Sequence, residues 1–180
     1  MNISKLLIGV ALGLFLVHPV RAAQPDSVYV FPYPTTNDNG RRGMQLMWSA
    51  DRTCWNDVAG GMVFLKCDFG PWKHVYRPRL VQDRADGLWH CFWDLTPDGS
   101  AMGCASSSDL IRWTPQEFFM SDEQSRHEVK DGRMPVADTV QVGDKTIAGY
   151  ALKVPYRMVE GLERHGIYRS ALNAQRGERA

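Results

Sequence analysis

The apolar positions of the chain fall into short runs that are separated by polar turn segments. "SVYVFPYP" and "GLWHCFWDL" are rich in β-branched and aromatic residues, and each is followed by a second apolar run, "MQLMWS" and "AMGCASS" respectively. Turn signals such as "NDNGRRG" and "TPDGS" stand between the runs. Runs of this composition bounded by Gly, Asn and Asp are typical of antiparallel strands. The pattern predicts a mainly β fold built from units of about four strands.

One short motif occurs twice in these units, 58 residues apart. "SADRTCW" begins at Ser49 and "SSDLIRW" at Ser107, and both read Ser-x-Asp-x-x-x-Trp. Self-similarity at a fixed spacing indicates a repeated structural unit. Ser and Asp side chains can bond backbone amides in a tight turn, and the Trp would then pack between sheets. We expect a structural role for the motif, because neither Ser stands in Gly-x-Ser-x-Gly.

The composition of the chain becomes polar after the second unit of strands. Residues 121–133, "SDEQSRHEVKDGR", are polar and predict a linker or exposed loop. Gly143-Asp144 lies between β-branched runs and predicts a hairpin, and Pro155 suits the first turn of a helix. Residues 134–180 are therefore predicted to form a β-hairpin and an amphipathic helix. The apolar side of that helix would contain Met158, Val159, Leu162 and Leu172.

The N-terminus has the pattern of a secretory signal. Lys5 precedes an unbroken apolar stretch at residues 6–17, and the small-residue segment "VRAAQ" follows it. We predict a signal peptide over residues 1–22, cleaved after Ala22 or Ala23, and a secreted or periplasmic location. A membrane anchor is the alternative, but the apolar stretch is shorter than the roughly 20 residues that span a bilayer. We therefore expect no membrane association after cleavage.

Charge and length limit the kind of partner and the number of domains that we expect for the chain. The 21 basic and 20 acidic residues nearly cancel, so the chain has no electrostatic footprint for nucleic acid. Removal of the signal peptide leaves about 158 residues, which usually form one domain. We expect neutral or small partners, and no cofactor.

Export also bears on the cysteines, because disulfides persist in oxidising compartments. The chain has four: Cys54, Cys67, Cys91 and Cys104. We predict that the first two are paired and that the last two are paired, each bridge joining neighbouring strands of one unit. Unpaired buried thiols are one alternative. A metal site with His74 or His90 is the other, and it is disfavoured because the chain has no Cys-x-x-Cys or His-x3-His spacing.

The order of these motifs resembles a known family. "MQLMWSADRTCWNDVAGGMVFL" and then "GPWKHVYRPRLVQDRADGLWHCFWDLTPDGSAMGCASSSDLIRWTPQEF" are similar to the first two blades of the five-bladed β-propeller glycosidases of family 43, particularly the arabinosidase-like members. The resemblance covers roughly Val28 to Met120. It implies that residues 23–120 form about two antiparallel four-stranded blades of an incomplete propeller. It also implies a role in the metabolism of plant polysaccharides that contain arabinose or xylose.

Two departures from the family pattern bear on activity. Family members use three carboxylates around the propeller axis, whereas the first strand here, "VYVFPYP", has none. In the second blade, "VYRPRLV" places Arg77 where the family has an Asp. A guanidinium neither gives up nor accepts a proton at working pH. The chain is also too short for five blades of about 58 residues, and no catalytic residue can be assigned.

The resemblance nevertheless implies sugar-contacting residues near the axis. These would be Arg77, Trp93 and Asp94, with an oligosaccharide or polysaccharide as the partner. Three functions stay open: a non-catalytic carbohydrate-binding protein, a glycosidase completed by another chain, and a structural or interaction module without a ligand. Blades cut from a ring expose apolar faces, so self-association through these faces is also expected.

Overall fold

The computed structural model describes residues 24–133 and 135–176. The predicted signal peptide lies outside these residues. The described part is mainly β, with two antiparallel sheets and one C-terminal helix, as predicted. Within it, no helix is both long and apolar enough to cross a bilayer.

Nine strands and one α-helix make up the described part of the fold. The strands are β1 (Ser27–Pro34), β2 (Met44–Ser49), β3 (Asn56–Asp57), β4 (Tyr76–Gln82), β5 (Trp89–Asp94), β6 (Ala101–Ser107), β7 (Glu117–Met120), β8 (Val136–Val142) and β9 (Lys145–Pro155), and the helix is α1 (Tyr156–Arg176). Short 3-10 helices span Val58–Gly60 and Ser121–His127. The first sheet has the order β3-β2-β1-β9-β8 and the second the order β4-β5-β6-β7.

The sequence repeat corresponds to a repeated strand pair. β1 and β2 pair over six residues, with Tyr29 opposite Ser49 at one end. β5 and β6 also pair over six residues, with Trp89 opposite Ser107 at the equivalent end. Each motif therefore begins on the last residue of the second strand of its pair.

The two motif turns also have matching hydrogen bonds. In the second turn, Ser107 Oγ accepts a bond of 2.8 Å from the Leu110 amide, and Asp109 Oδ1 accepts one of 2.9 Å from the Ile111 amide. In the first turn, Ser49 Oγ accepts a bond of 2.9 Å from the Arg52 amide. Arg52 and Leu110 have φ angles of 69° and 60°, so the chain reverses in the same way in both turns. The predicted role of Ser and Asp in the turns is confirmed. Of the two motif tryptophans, Trp113 packs in the core between the sheets, as predicted, whereas Trp55 packs on Phe31 at the other side of the first sheet.

The C-terminal hairpin is part of the first sheet rather than a separate segment. β9 pairs with β1 so that Lys153 lies opposite Tyr29. β4 pairs with β5 so that Gln82 lies opposite Trp89. Since Tyr29 and Trp89 occupy equivalent positions in their strand pairs, β9 takes the place in the first sheet that β4 takes in the second. A strand from the C-terminal part of the chain thus completes the N-terminal sheet.

The main core lies between the two sheets and the helix. Val28 and Val30 of β1 and Trp89 and Trp93 of β5 are buried there. Helix α1 begins directly after Pro155, as predicted, and contributes the buried side chains of Val159 and Leu162. Alternate residues of β1 face the other side of the sheet, where a second buried cluster consists of Phe31, Tyr33, Met47, Val140 and Ala151.

The predicted linker is folded onto the second sheet. Residues 121–127 form a 3-10 helix, and Gly132 then bridges to Asp83 beside β4. The Arg133 amide donates to the carbonyl of Gln82. This segment covers part of the outer face of the second sheet, which the sequence predicted to be open. Phe118 and Met120 of β7 stay exposed, and self-association through them remains a prediction.

The cysteines differ from the prediction, because all four are free thiols. Cys91 pairs with Ala105 and Cys104 pairs with Phe92, so the two cysteines lie on opposite faces of the second sheet. No disulfide can join side chains that point to opposite faces. Cys54 is exposed in the first motif turn, whereas Cys67 is buried and accepts a hydrogen bond from the Phe69 amide.

Candidate functional site

Trp93 lies in the core and not on a surface. Its exposed fraction is 0%, and its indole ring lies across Gly103 on the neighbouring strand. A sugar ring needs a free aromatic face, so the predicted contact with Trp93 has no support in the structure.

Asp94 is buried and carries two ion pairs. Arg77 Nε lies 2.5 Å from Asp94 Oδ2, and an Arg79 guanidinium nitrogen lies 3.5 Å from Oδ1. Buried charges are tolerated when they are paired in this way. Burial keeps the carboxylate out of reach of a sugar hydroxyl, and Asp94 acts as an anchor for arginine.

Arg77 is held in an unusual conformation. The register of β4 against β5 shifts between Tyr76 and Arg79, so Arg77 and Pro78 form a bulge. The φ angle of Arg77 is 42°, which is uncommon for a residue with a side chain and more so before proline. The bulge brings Arg77 to Asp94 while its side chain stays 57% exposed. Its remaining N–H groups can therefore donate to a ligand.

An open cavity of about 920 Å³ lies where β5 ends, beside this ion pair. Three segments form its walls: the loop after β1, the loop before β4, and the turn after β5. The lining includes Asn37, Asp38, Asn39, Arg41, Trp72, His74, Tyr76, Leu95 and Thr96. Tyr76 precedes Arg77 in the chain, and an Arg77 guanidinium nitrogen lies beside Gly99, at the end of the turn that supplies Leu95 and Thr96.

The cavity has an aromatic surface. Trp72 is 61% exposed, and the guanidinium carbon of Arg41 lies 4.8 Å from the centre of its ring. This cation–π contact holds the indole in place while leaving most of its surface free. His74 stacks on Tyr76 with ring centres 4.8 Å apart and planes 6° apart, and its Nδ1 lies 2.7 Å from the Asn39 carbonyl.

Asp38 is the one carboxylate among the described residues that line this cavity. Burial opposes its ionisation, but hydrogen bonds from Thr35 and Arg42 prevail and hold the pKa of Asp38 below its usual value. Its carboxylate is therefore charged at neutral pH and can only accept hydrogen bonds. A general acid would need a pKa shifted in the opposite direction.

These groups suit a flat ligand that is rich in hydroxyl groups. An exposed indole offers an apolar face, and the amides, the imidazole and the carboxylate beside it offer donors and acceptors. The sequence pattern could not single out Trp72, because the residue lies in a loop where periodicity has no meaning. Hydrolysis of a glycosidic bond needs two carboxyl groups on either side of it, and this cavity has one in its described lining.

A second cavity, of about 450 Å³, lies on the outer face of the second sheet. Cys104, Glu117 and His127 meet there, and their ligand atoms all lie within 4.8 Å of one another. Burial raises the pKa of the Cys104 thiol, and the negative charge of Glu117 adds to this effect. No motif in the sequence indicates this cluster, because its three members belong to different elements and have no characteristic spacing.

Comparison with known proteins gives no relative. No protein-family model, curated protein or solved structure matches the chain.

Proposed function

We propose that the protein is an exported carbohydrate-binding protein related to the family 43 glycosidases, that it recognises oligosaccharides of arabinose or xylose, and that it does not hydrolyse them. The observation that carries the proposal is the exposed indole of Trp72 in a cavity lined by amide, imidazole and carboxylate groups. Export is supported by Lys5 and the apolar stretch at residues 6–17. The two sheets would represent blades of a propeller-like unit.

The aromatic surface supports a sugar as the ligand. A pentose ring has an apolar face of C–H groups that can stack on an indole ring, and hydroxyl groups at its rim that donate and accept hydrogen bonds. Trp72 supplies the stacking surface. Asn37 and Asn39 supply amide groups, and Asp38 supplies an acceptor. Ligand cavities commonly combine an apolar surface with a few such polar groups.

The charges around the cavity support binding without catalysis. Asp38 is held ionised by its hydrogen bonds, so it cannot protonate a leaving group. Asp94 is buried and paired with Arg77 and Arg79, so a sugar in the cavity cannot reach its carboxylate. Arg77 cannot act as an acid or a base, but its exposed N–H groups can donate to hydroxyl oxygens. We therefore assign Arg77 to ligand binding and Asp94 to its positioning.

Isothermal titration calorimetry with arabino- and xylo-oligosaccharides tests the proposal. We expect the wild-type protein to bind one of the two series and Trp72→Ala to lose up to roughly tenfold in affinity, because stacking on one aromatic ring is worth about 0.5–1.5 kcal/mol. Tyr168→Ala is a matched control, since Tyr168 is 64% exposed on the helix. No heat with either series, or equal loss in both variants, would contradict the proposal.

A further inference from the structure

We propose that Cys104, Glu117 and His127 form a binding site for a divalent transition-metal ion, with Zn²⁺ as the ion best suited to it. The site is independent of the proposed sugar cavity. It lies on the outer face of the second sheet, whereas the sugar cavity lies at the end of β5.

The sheet register brings two of the three ligands together. Cys104 of β6 and Glu117 of β7 are direct partners across the two strands, so their side chains leave the same face of the sheet side by side. Glu117 is exposed and Cys104 is half-buried, which places the pair at the mouth of the cavity.

The third ligand comes from the segment that crosses this face. His127 is the last residue of the 3-10 helix Ser121–His127. Its ring stacks on the buried ring of Phe119, with centres 4.0 Å apart and planes 11° apart. This stacking fixes the direction of the imidazole, so that a ring nitrogen reaches the sulfur of Cys104 and the carboxylate of Glu117.

The three ligand atoms are close enough to share an ion if they move slightly toward one another. The three ligand atoms lie within 4.8 Å of one another. Tetrahedral zinc with metal–sulfur and metal–nitrogen bonds of usual length separates its ligand atoms by roughly 3.3–3.6 Å. Rotation of the exposed Glu117 side chain can shorten its distances to the other two ligand atoms without movement of the backbone.

Neither Glu117 nor His127 has a competing polar contact in the described part of the chain, and the packing of His127 on Phe119 uses only the face of its ring. Among the described residues, no hydrogen bond or ion pair engages the carboxylate of Glu117 or the imidazole of His127. A neighbouring set of possible ligands, Asp83, Asp86 and His90, differs in this respect. Asp83 Oδ1 accepts a bond from the Ala85 amide and Asp86 Oδ1 one from the Leu88 amide, so both stabilise a turn.

A further observation points to a polar occupant of this cavity. His90 also lines it, and its Nδ1 lies 2.9 Å from Ser106 Oγ. Its Nε2 is buried and has no hydrogen-bond partner among the described residues. Buried polar groups are rarely left unpaired, so a water molecule or another polar occupant of this cavity would satisfy it.

The ligand types determine the ion. Thiolate and imidazole favour Zn²⁺, Co²⁺ and similar ions over Mg²⁺ and Ca²⁺, which prefer oxygen ligands. Three protein ligands leave a fourth position open toward the cavity. Because the ligands come from β6, β7 and the crossing segment, the ion would also fasten that segment to the sheet and stabilise the fold.

Titration of the untagged, reduced and metal-stripped protein with Zn²⁺ and Co²⁺ tests the site. We expect one ion per chain, and a thiolate-to-cobalt absorption band in the Co²⁺ complex. Cys104→Ser and His127→Gln should abolish the band or weaken Zn²⁺ binding more than tenfold. Cys54→Ser, which removes an exposed cysteine elsewhere, should leave both unchanged.

The variant Glu117→Gln and a thermal-melting measurement distinguish loss of metal binding from misfolding. Glu117 is exposed, so this variant should fold normally while it loses at least tenfold in Zn²⁺ affinity. Zn²⁺ should raise the melting temperature of the wild-type protein and not of this variant. The proposal is overturned if wild-type protein binds no Zn²⁺, if Cys54→Ser removes the cobalt band, or if His90→Gln abolishes binding while Cys104→Ser retains it.

Discussion

Trp93 and Gly103 face each other across β5 and β6, and the indole ring occupies the space that a side chain at position 103 would need. A Cβ atom on Gly103 would lie 2.4 Å from Cε2 of the ring. The ring cannot move away easily, because Trp93 is fully buried in the main core. The pair is therefore a fixed packing unit between the two sheets.

Gly103→Ala should destabilise the protein by about 1–3 kcal/mol, because an added methyl group in a filled core forces side chains out of their preferred positions. The measurement is chemical denaturation. Gly161→Ala is the matched control: Gly161 lies in helix α1 with nothing within 4 Å of the added atom, so the change should be neutral or stabilise by up to about 1 kcal/mol. Equal stability of Gly103→Ala and wild type would contradict the packing described for Trp93.

The second motif tryptophan should contribute to stability and not to binding. Trp113 packs against the main core, and its indole N–H donates a bond of 2.8 Å to the Phe64 carbonyl. Trp113→Ala should cost about 3 kcal/mol of unfolding free energy, since the ring is half-buried and its loss leaves a cavity. Trp72→Ala should change stability by less than about 0.5 kcal/mol, because Trp72 is exposed. A loss of sugar affinity in Trp113→Ala at unchanged stability would contradict this assignment.

Asp109 should make stability depend on pH in the acid range. Burial opposes its ionisation, but hydrogen bonds from the Arg112 and Ile111 amides and from the Arg112 guanidinium hold the pKa of Asp109 below its usual value. A carboxyl group whose folded pKa is lowered stabilises the fold above its unfolded pKa of about 3.9, and this contribution is lost as the pH falls through the folded value. Asp109→Asn should therefore lower the melting temperature at pH 7 and flatten the decline below about pH 4. A decline identical to that of wild type would contradict the role of this carboxylate.

Incubation with arabinan, xylan and aryl pentosides should give no measurable hydrolysis. The motivation is the single ionised carboxylate in the described lining of the cavity and the presence of Arg77 beside Asp94. Arg77→Asp should stay inactive, because an additional carboxylate supplies neither the acid nor the base that the reaction requires together. Turnover by the wild-type protein that disappears in Asp38→Asn would contradict the non-catalytic assignment.

Local sequence patterns predicted the elements of this fold but not their long-range pairing. Strands, turns and helix α1 follow from composition and from signals such as Gly143-Asp144 and Pro155, which act over a few residues. The pairing of β9 with β1 joins residues more than a hundred positions apart, and no local signal encodes it. The linker was predicted from its polarity alone, although its backbone bonds to the edge of β4.

The candidate site could likewise not be predicted from local sequence patterns. Trp89, Cys91 and Trp93 are spaced by two residues and share one buried face of β5, but periodicity alone cannot say which face of a strand is buried. The residue with a free aromatic face is Trp72, in a loop. The approach of Cys104 to Glu117 and His127 depends on strand register and on the path of the crossing segment, which the sequence does not display.

The most direct test of sugar recognition uses the six tryptophans as reporters. In the ¹⁵N-labelled protein each indole N–H gives its own NMR signal, and single Trp→Phe variants assign them. We predict that an arabino- or xylo-oligosaccharide shifts the Trp72 indole signal in proportion to saturation and leaves the Trp93 signal in place, since Trp93 is buried in the core. No shift at Trp72, or a shift confined to another tryptophan, would contradict the account.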